Sequence, residues 1–259
     1  MVPLLALMFF LTALVYAAVG FGGGSTYNAL LVLHGTDYTL LPVIALLCNM
    51  VVVIGGVHMF HRHGHLSVSR LTPYLALSIP AAWLGGRMSM PETLFVGVLG
   101  LALVANSIAM AFEPKRPDET KRKMPLAPLQ VDGRLAAVSI PIGFLAGLVG
   151  IGGGVFLTPL LYRLRWGTPK TIAAAASLFI LLNSAAGLVG QLMKAPLAQI
   201  VEGLAPYFLL FPAVAIGGAA GSLLANRVLP DAIIRRLTAL LLLYVGVRLL
   251  CRWAQIMTG

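Results

Sequence analysis

Two short glycine clusters hold the residues best suited to chemistry in this chain. Val19-Gly20-Phe21-Gly22-Gly23-Gly24 and Val149-Gly150-Ile151-Gly152-Gly153-Gly154 each interrupt an apolar run and are followed by a further apolar piece. Glycine admits left-handed backbone and lets another group come close. A helix starting after such a cluster presents its first amide N–H groups without intrahelical partners, and the positive end of its dipole makes them an anion site. The donors expected in the first half are Gly22, Gly23, Gly24, Ser25 and Thr26, the last two adding hydroxyls. In the second half they are Gly152, Gly153, Gly154 and Val155, with Val155 and Phe156 leaving the task to the backbone. The competing structural reading is that small residues only let membrane helices pack tightly. The occurrence of the same break twice favours binding.

Two asparagines extend the set. Asn49 and Asn183 each sit near the middle of an apolar run, with Ser177 and Ser184 sharing the second run and Gln191 ending it. A polar group in an apolar setting is costly unless satisfied, and a carboxamide donates to an oxyanion without carrying charge. Asn49, Asn183 and Ser184 are therefore counted as substrate-binding candidates, against the alternative that the amides only bridge helices. Cys48 and Cys251 lie in different apolar segments and form neither a disulfide framework nor a CxxC site.

Other chemistries find less support. His58, His61, His63 and His65 raise metal binding, but no acid or cysteine stands beside them, so no metal ligand and no cofactor is assigned. No Asp or Glu lies at the centre of an apolar run, where proton relays and cation pathways place carboxylates. Ser25 has no histidine placed as its base, so no catalytic residue is named and the chain reads as a non-enzyme.

The elements that must position these residues belong to a membrane protein. Of 259 residues, 59% are apolar and only 10% charged, with a mean hydropathy of +0.94, whereas about a quarter of a soluble sequence is charged. The same numbers exclude disorder. The net charge of +10 lies mostly in short gaps between apolar runs, where it sets orientation rather than binding nucleic acid. The apolar Met1–Val19 stretch lacks a basic n-region and its context recurs inside the chain, so it is read as mature protein and not as a signal peptide. Trp83, Trp166 and Trp253, near run ends, fit an interfacial aromatic belt.

The chain reads as one unit written twice. Leu30-Leu31 and Leu160-Leu161 follow the two clusters at equal distance, and Gly35-Thr36-Asp37-Tyr38-Thr39 answers to Gly167-Thr168-Pro169-Lys170-Thr171. The expected division is a repeat over 1–112, a polar basic linker over 113–134 and a second repeat over 135–259. Apolar runs are placed at 3–19, 39–60, 71–86, 92–112, 135–149, 171–190, 204–224 and 232–250, about 20 residues being needed to span as helix. Broken backbone at membrane depth is tolerated only where it faces protein or a cavity. The basic sets around Arg62 and Arg70, Lys121, Arg163/Arg165/Lys170 and Arg227/Arg235/Arg236 all fall in the cytoplasm if 3–33 and 135–162 are re-entrant. Each repeat then has a glycine-broken first segment plus three spanning helices, and the copies are inverted; eight plain crossings would put the last two sets outside.

At the paired VGFGGG and VGIGGGVFLTPLL (149–161), with TPKTIAAAASL (168–178) after the second, the chain resembles the sulfite exporter TauE/SafE family over nearly its whole length. The resemblance implies a permease for small sulfur-containing anions such as sulfite or organosulfonates. One departure is visible: Thr158-Pro159 in the second copy faces Asn28-Ala29 in the first. The expectation is thus an all-α polytopic permease of the inner (plasma) membrane with a cytoplasmic linker, exporting a small anionic substrate, with the lipid bilayer and a homo-oligomer as surroundings and no nucleic acid. The alternatives are a permease for a metal cation or other small solute, and a non-transporting membrane protein.

Overall fold

The computed structural model describes residues 2–19, 21–111, 133–164, 166–223 and 231–258, and the regular structure in them is helical throughout. In lipid a helix satisfies its own backbone, and these leucine- and alanine-rich segments do so. The first half runs α1 (Val2–Val19), α2 (Gly24–His34), α3 (Leu41–Arg62), α4 (Val68–Arg87) and α5 (Glu92–Ala111). The second runs α6 (Gly133–Val149), α7 (Gly154–Arg163), α8 (Pro169–Leu192), α9 (Leu197–Leu204), a 3-10 turn at Ala205–Tyr207, α10 (Leu210–Leu223) and α11 (Asp231–Thr258).

Among the described residues four helices, α3, α5, α8 and α11, contain stretches long and apolar enough to cross a membrane, and α9 with its 3-10 turn and α10, bent by 64°, adds a fifth where the pair counts as one span. The segment 204–224, read as one run, is therefore divided. Pro206 lies in the 3-10 turn and Pro212, in the first turn of α10, has no N–H to donate back along the chain, and the backbone turns between them. Conversely, α4 is longer than the 71–86 run, because Arg70 and Arg87 are helical but not apolar. The linker lies outside the described residues except for Gly133 and Arg134, which open α6; Gly20, Arg165 and Arg227 lie outside them too.

The halves interlock. Helix α4 packs on α6 and α8, α10 packs on α1 and α3, and α5 lies along α11, so most helices find their main partner in the other half. Missing side chains make the approach possible. A Cβ on Gly143 or Gly147 would run into the backbone carbonyls of Ser78 and Ala82 on α4, and one on Gly217 or Gly221 into those of Phe10 and Leu14 on α1. In the α5–α11 pair, Gly97 lies under the Trp253 ring and Ser107 Oγ donates to the Ala239 carbonyl over 2.8 Å. Trp166, unlike a belt residue, is buried within the protein, with the Arg70 guanidinium 4.3 Å from its ring centre.

The candidate site between two broken helices

Both glycine clusters break their helix in the same way. Gly23 and Gly153 cap α2 and α7 in the left-handed region, at φ 85° and 77°, a conformation that costs glycine nothing. The first amide to close back along α2 is that of Tyr27, on the Gly23 carbonyl at 3.0 Å; in α7 it is that of Phe156, on Gly153 at 3.2 Å. The amides of Gly24, Ser25 and Thr26, and of Gly154 and Val155, come before it. The two pieces on either side of each break part to different neighbours: α1 goes to α10, whereas α2 lies against α3 and α11.

The two breaks meet at Asn49. A Cβ on Gly22 would stand 2.5 Å from Asn49 Oδ1 and one on Gly152 2.7 Å from Asn49 Nδ2, while one on Gly24 would strike that same nitrogen and lie 2.9 Å from the Gly150 carbonyl oxygen. Residues about 130 positions apart in sequence thus surround one carboxamide. Asn49 is fully buried, and neither its nitrogen nor its oxygen has a hydrogen-bond partner. Ser25 and Ser184 are buried with unpartnered hydroxyls, and Ser184 Oγ would lie 3.4 Å from a Cβ on Gly152. Buried polar groups are nearly always paired. Three unpaired ones here, two of them against the glycine breaks, leave hydrogen-bonding capacity that no protein group takes up.

The remaining candidates are arranged less symmetrically. The Thr26 hydroxyl shares a 2.9 Å hydrogen bond with the Tyr16 hydroxyl. Asn183 spends its amide on the Phe179 carbonyl one turn back, at 2.8 Å, and only its oxygen is unpartnered. From α8, Ile180 faces Gly152 and Gly154 and Ser184 faces Gly152, while Asn183 is not among the groups nearest either break. Val155 is half-buried beside its break.

Asn28 was passed over as a binding group in the sequence, and it joins the halves. Its Nδ2 donates to the Val149 carbonyl over 2.8 Å, at the end of α6 where the second break begins. Its counterpart Thr158 bonds within α7, to the Gly154 carbonyl at 2.8 Å. The departure from repeat symmetry at Asn28-Ala29 therefore places a cross-link from the first copy onto the second. Gln191 ties α8 to α6 within the second half, donating to the Gly147 and Leu148 carbonyls at 2.8 and 3.2 Å. The histidines end α3 and follow it, His63 bonding to the Met59 carbonyl. Among the described residues no three His, Cys, Asp or Glu side chains gather as a metal site would require. Cys48 is buried and Cys251 exposed, both as free thiols.

Residues 5–249 match the family model described as Sulfite exporter TauE/SafE. The chain is 35% identical over 246 residues to the "Probable membrane transporter protein y4hK" of Sinorhizobium fredii (strain NBRC 101917 / NGR234), covering 95% of this chain and 97% of that one. It is 28% identical over 114 residues to the "Probable membrane transporter protein YunE" of Bacillus subtilis (strain 168), covering 44% and 40%. No solved structure matches. With a family match across nearly the whole chain, two glycine-broken helices and a bundle of apolar helices, the chain belongs to the sulfite exporter TauE/SafE family.

Proposed function

We propose that this member of a permease family carries a small sulfur-containing oxyanion, sulfite or an organosulfonate, outward across the plasma membrane. The observation that carries the reading is Asn49: a buried carboxamide with both ends unpartnered, set between the breaks of the two repeats. An oxyanion there accepts from Asn49 Nδ2, from the Ser25 and Ser184 hydroxyls and from the leading amides of α2 and α7. Every one of these donors is uncharged. That suits an anion that must be released again, because a fixed cation in a dry site would hold it (opposite charges 4 Å apart attract by about 4 kcal/mol even at an effective dielectric of 20).

Outward direction follows from the field. With the cytoplasm negative, each unit of negative charge leaving the cell gains about 2.3 kcal/mol per 100 mV, so export needs no buried carboxylate for proton coupling. The reciprocal pairing of α4 with α6 and of α10 with α1 is the pattern a two-fold relation between repeats produces. Together with the four basic sets, it supports inverted copies with the 113–134 linker in the cytoplasm. The test is efflux of sulfite from proteoliposomes holding purified protein. Efflux that accelerates with an interior-negative potential, and is lost in Asn49→Leu, is the expected result; efflux indifferent to potential refutes the electrogenic mechanism.

A further inference from the structure

Beside the glycine breaks lies an open pocket of about 400 Å³. Three inter-helix turns meet over it, contributing Tyr38 between α2 and α3, Ser89 between α4 and α5, and Lys194 between α8 and α9. Its floor is the end of α6. Leu148 lines it, and Gln191, also in the wall, donates to the carbonyls of Gly147 and Leu148. Pro42, another wall residue, sits where a Cβ on Gly150 would stand 2.7 Å from its Cα. The pocket therefore ends on the second glycine break. Among its described lining residues the one cation is Lys194, exposed at the rim, and none is a carboxylate. Buried Phe95 and Leu148 supply an apolar wall, the mixture of apolar surface and few polar groups that organic ligands use.

We propose that this pocket is the antechamber of the anion pathway on one side of the membrane, where Lys194 selects negative charge and the wall of Phe95 and Leu148 receives the apolar part of an organic anion. The inference rests on the permease reading above and adds to it a residue and an entry site apart from the glycine breaks. A cation in this place is compatible with turnover because it is solvated at the rim, unlike one at the buried centre. Partial desolvation lowers the pKa of Lys194 to about 8, so its charge is retained at neutral pH. The pocket is far larger than sulfite needs, and an alkanesulfonate places its head at Lys194 with its chain on the apolar wall.

The test is exchange of labelled alkanesulfonates by the full-length protein in proteoliposomes. Lys194→Gln is expected to raise KM by about tenfold, the loss of one charge-assisted contact. Lys194→Arg should restore it and Lys194→Glu raise it further. Wild type should take butane-1-sulfonate at a lower KM than methanesulfonate. Equal KM across Arg, Gln and Glu overturns the role of Lys194, and a KM that increases with chain length overturns that of the apolar wall. Unchanged unfolding midpoints without anion show that the variants are folded, as replacement of an exposed turn residue predicts. The two readings fail separately: loss of exchange in Asn49→Leu with no KM change in the Lys194 series sinks only the antechamber. A Lys194 effect with exchange intact in Asn49→Leu sinks only the glycine site.

Discussion

Replacing Asn49 with leucine alters the chemistry of the central site while nearly keeping its shape. In the absence of anion two effects oppose each other. Removing an unpaired buried carboxamide relieves about 1–3 kcal/mol of desolvation. Two methyl groups against Gly22, Gly24 and Gly152 restore a similar amount as crowding. The anion-free variant should therefore unfold within about 1 kcal/mol of wild type. Bound anion separates them. A hydrogen bond to a charged group contributes about 1.5–3 kcal/mol, or roughly 10- to 150-fold in Kd. At an anion concentration of 100 Kd the wild type gains about 2.7 kcal/mol; with Kd weakened about 50-fold the same concentration gives the variant only about 0.6 kcal/mol. Thermal unfolding of detergent-purified protein across a sulfite and sulfonate series reads both quantities. Equal stabilisation of wild type and variant would refute the reasoning. So would a variant several kcal/mol less stable without ligand, the behaviour of an asparagine that bridges helices.

Further expectations follow from the same geometry. Gly24→Ala drives a methyl group between Asn49 and the Gly150 and Ile151 carbonyls; it should cost about 1–3 kcal/mol and abolish efflux, measured on the same preparation. Gly147→Ala pushes α6 off the Ala82 carbonyl of α4 and should lower the unfolding temperature, whereas Gly55→Ala on α3 meets no atom within 4 Å and should raise stability by up to about 1 kcal/mol. KM for methanesulfonate should rise as pH goes from about 7 to about 9, because Lys194 loses its proton near 8 and a neutral amine attracts no anion. Among the described residues lining that pocket Tyr38 is the only other titratable group, and a sulfonate keeps its own charge throughout, so the rise should vanish in Lys194→Arg.

Much of this architecture is legible in the residues. Doubled GGG cannot continue a stable helix, and the structure breaks at both clusters, with the tips in contact through Asn49. Less legible is what depends on rotation about the helix axis. Asn49 and Asn183 look like counterparts in two apolar runs, yet α8 turns Ile180 toward the glycines and leaves Asn183 bonding within its own helix. Hydropathy also misplaces ends: α11 continues past the apolar run to Thr258, with Arg252 paired to Glu92 at 3.0 Å. Helix α9 is broken up in the apolar count by Gln199 and Glu202 and is seen only in the structure. Lys194 stands as a single cation in a gap between runs, and its neighbours Tyr38 and Ser89 come from turns more than a hundred residues away.

The exchange of helices between halves bears on how the protein is made. Helices α1 and α4 meet α10 and α6 only once the second half exists. A nascent chain carrying the first half alone has α1 and α4 without their main packing partners until translation delivers α6 and α10.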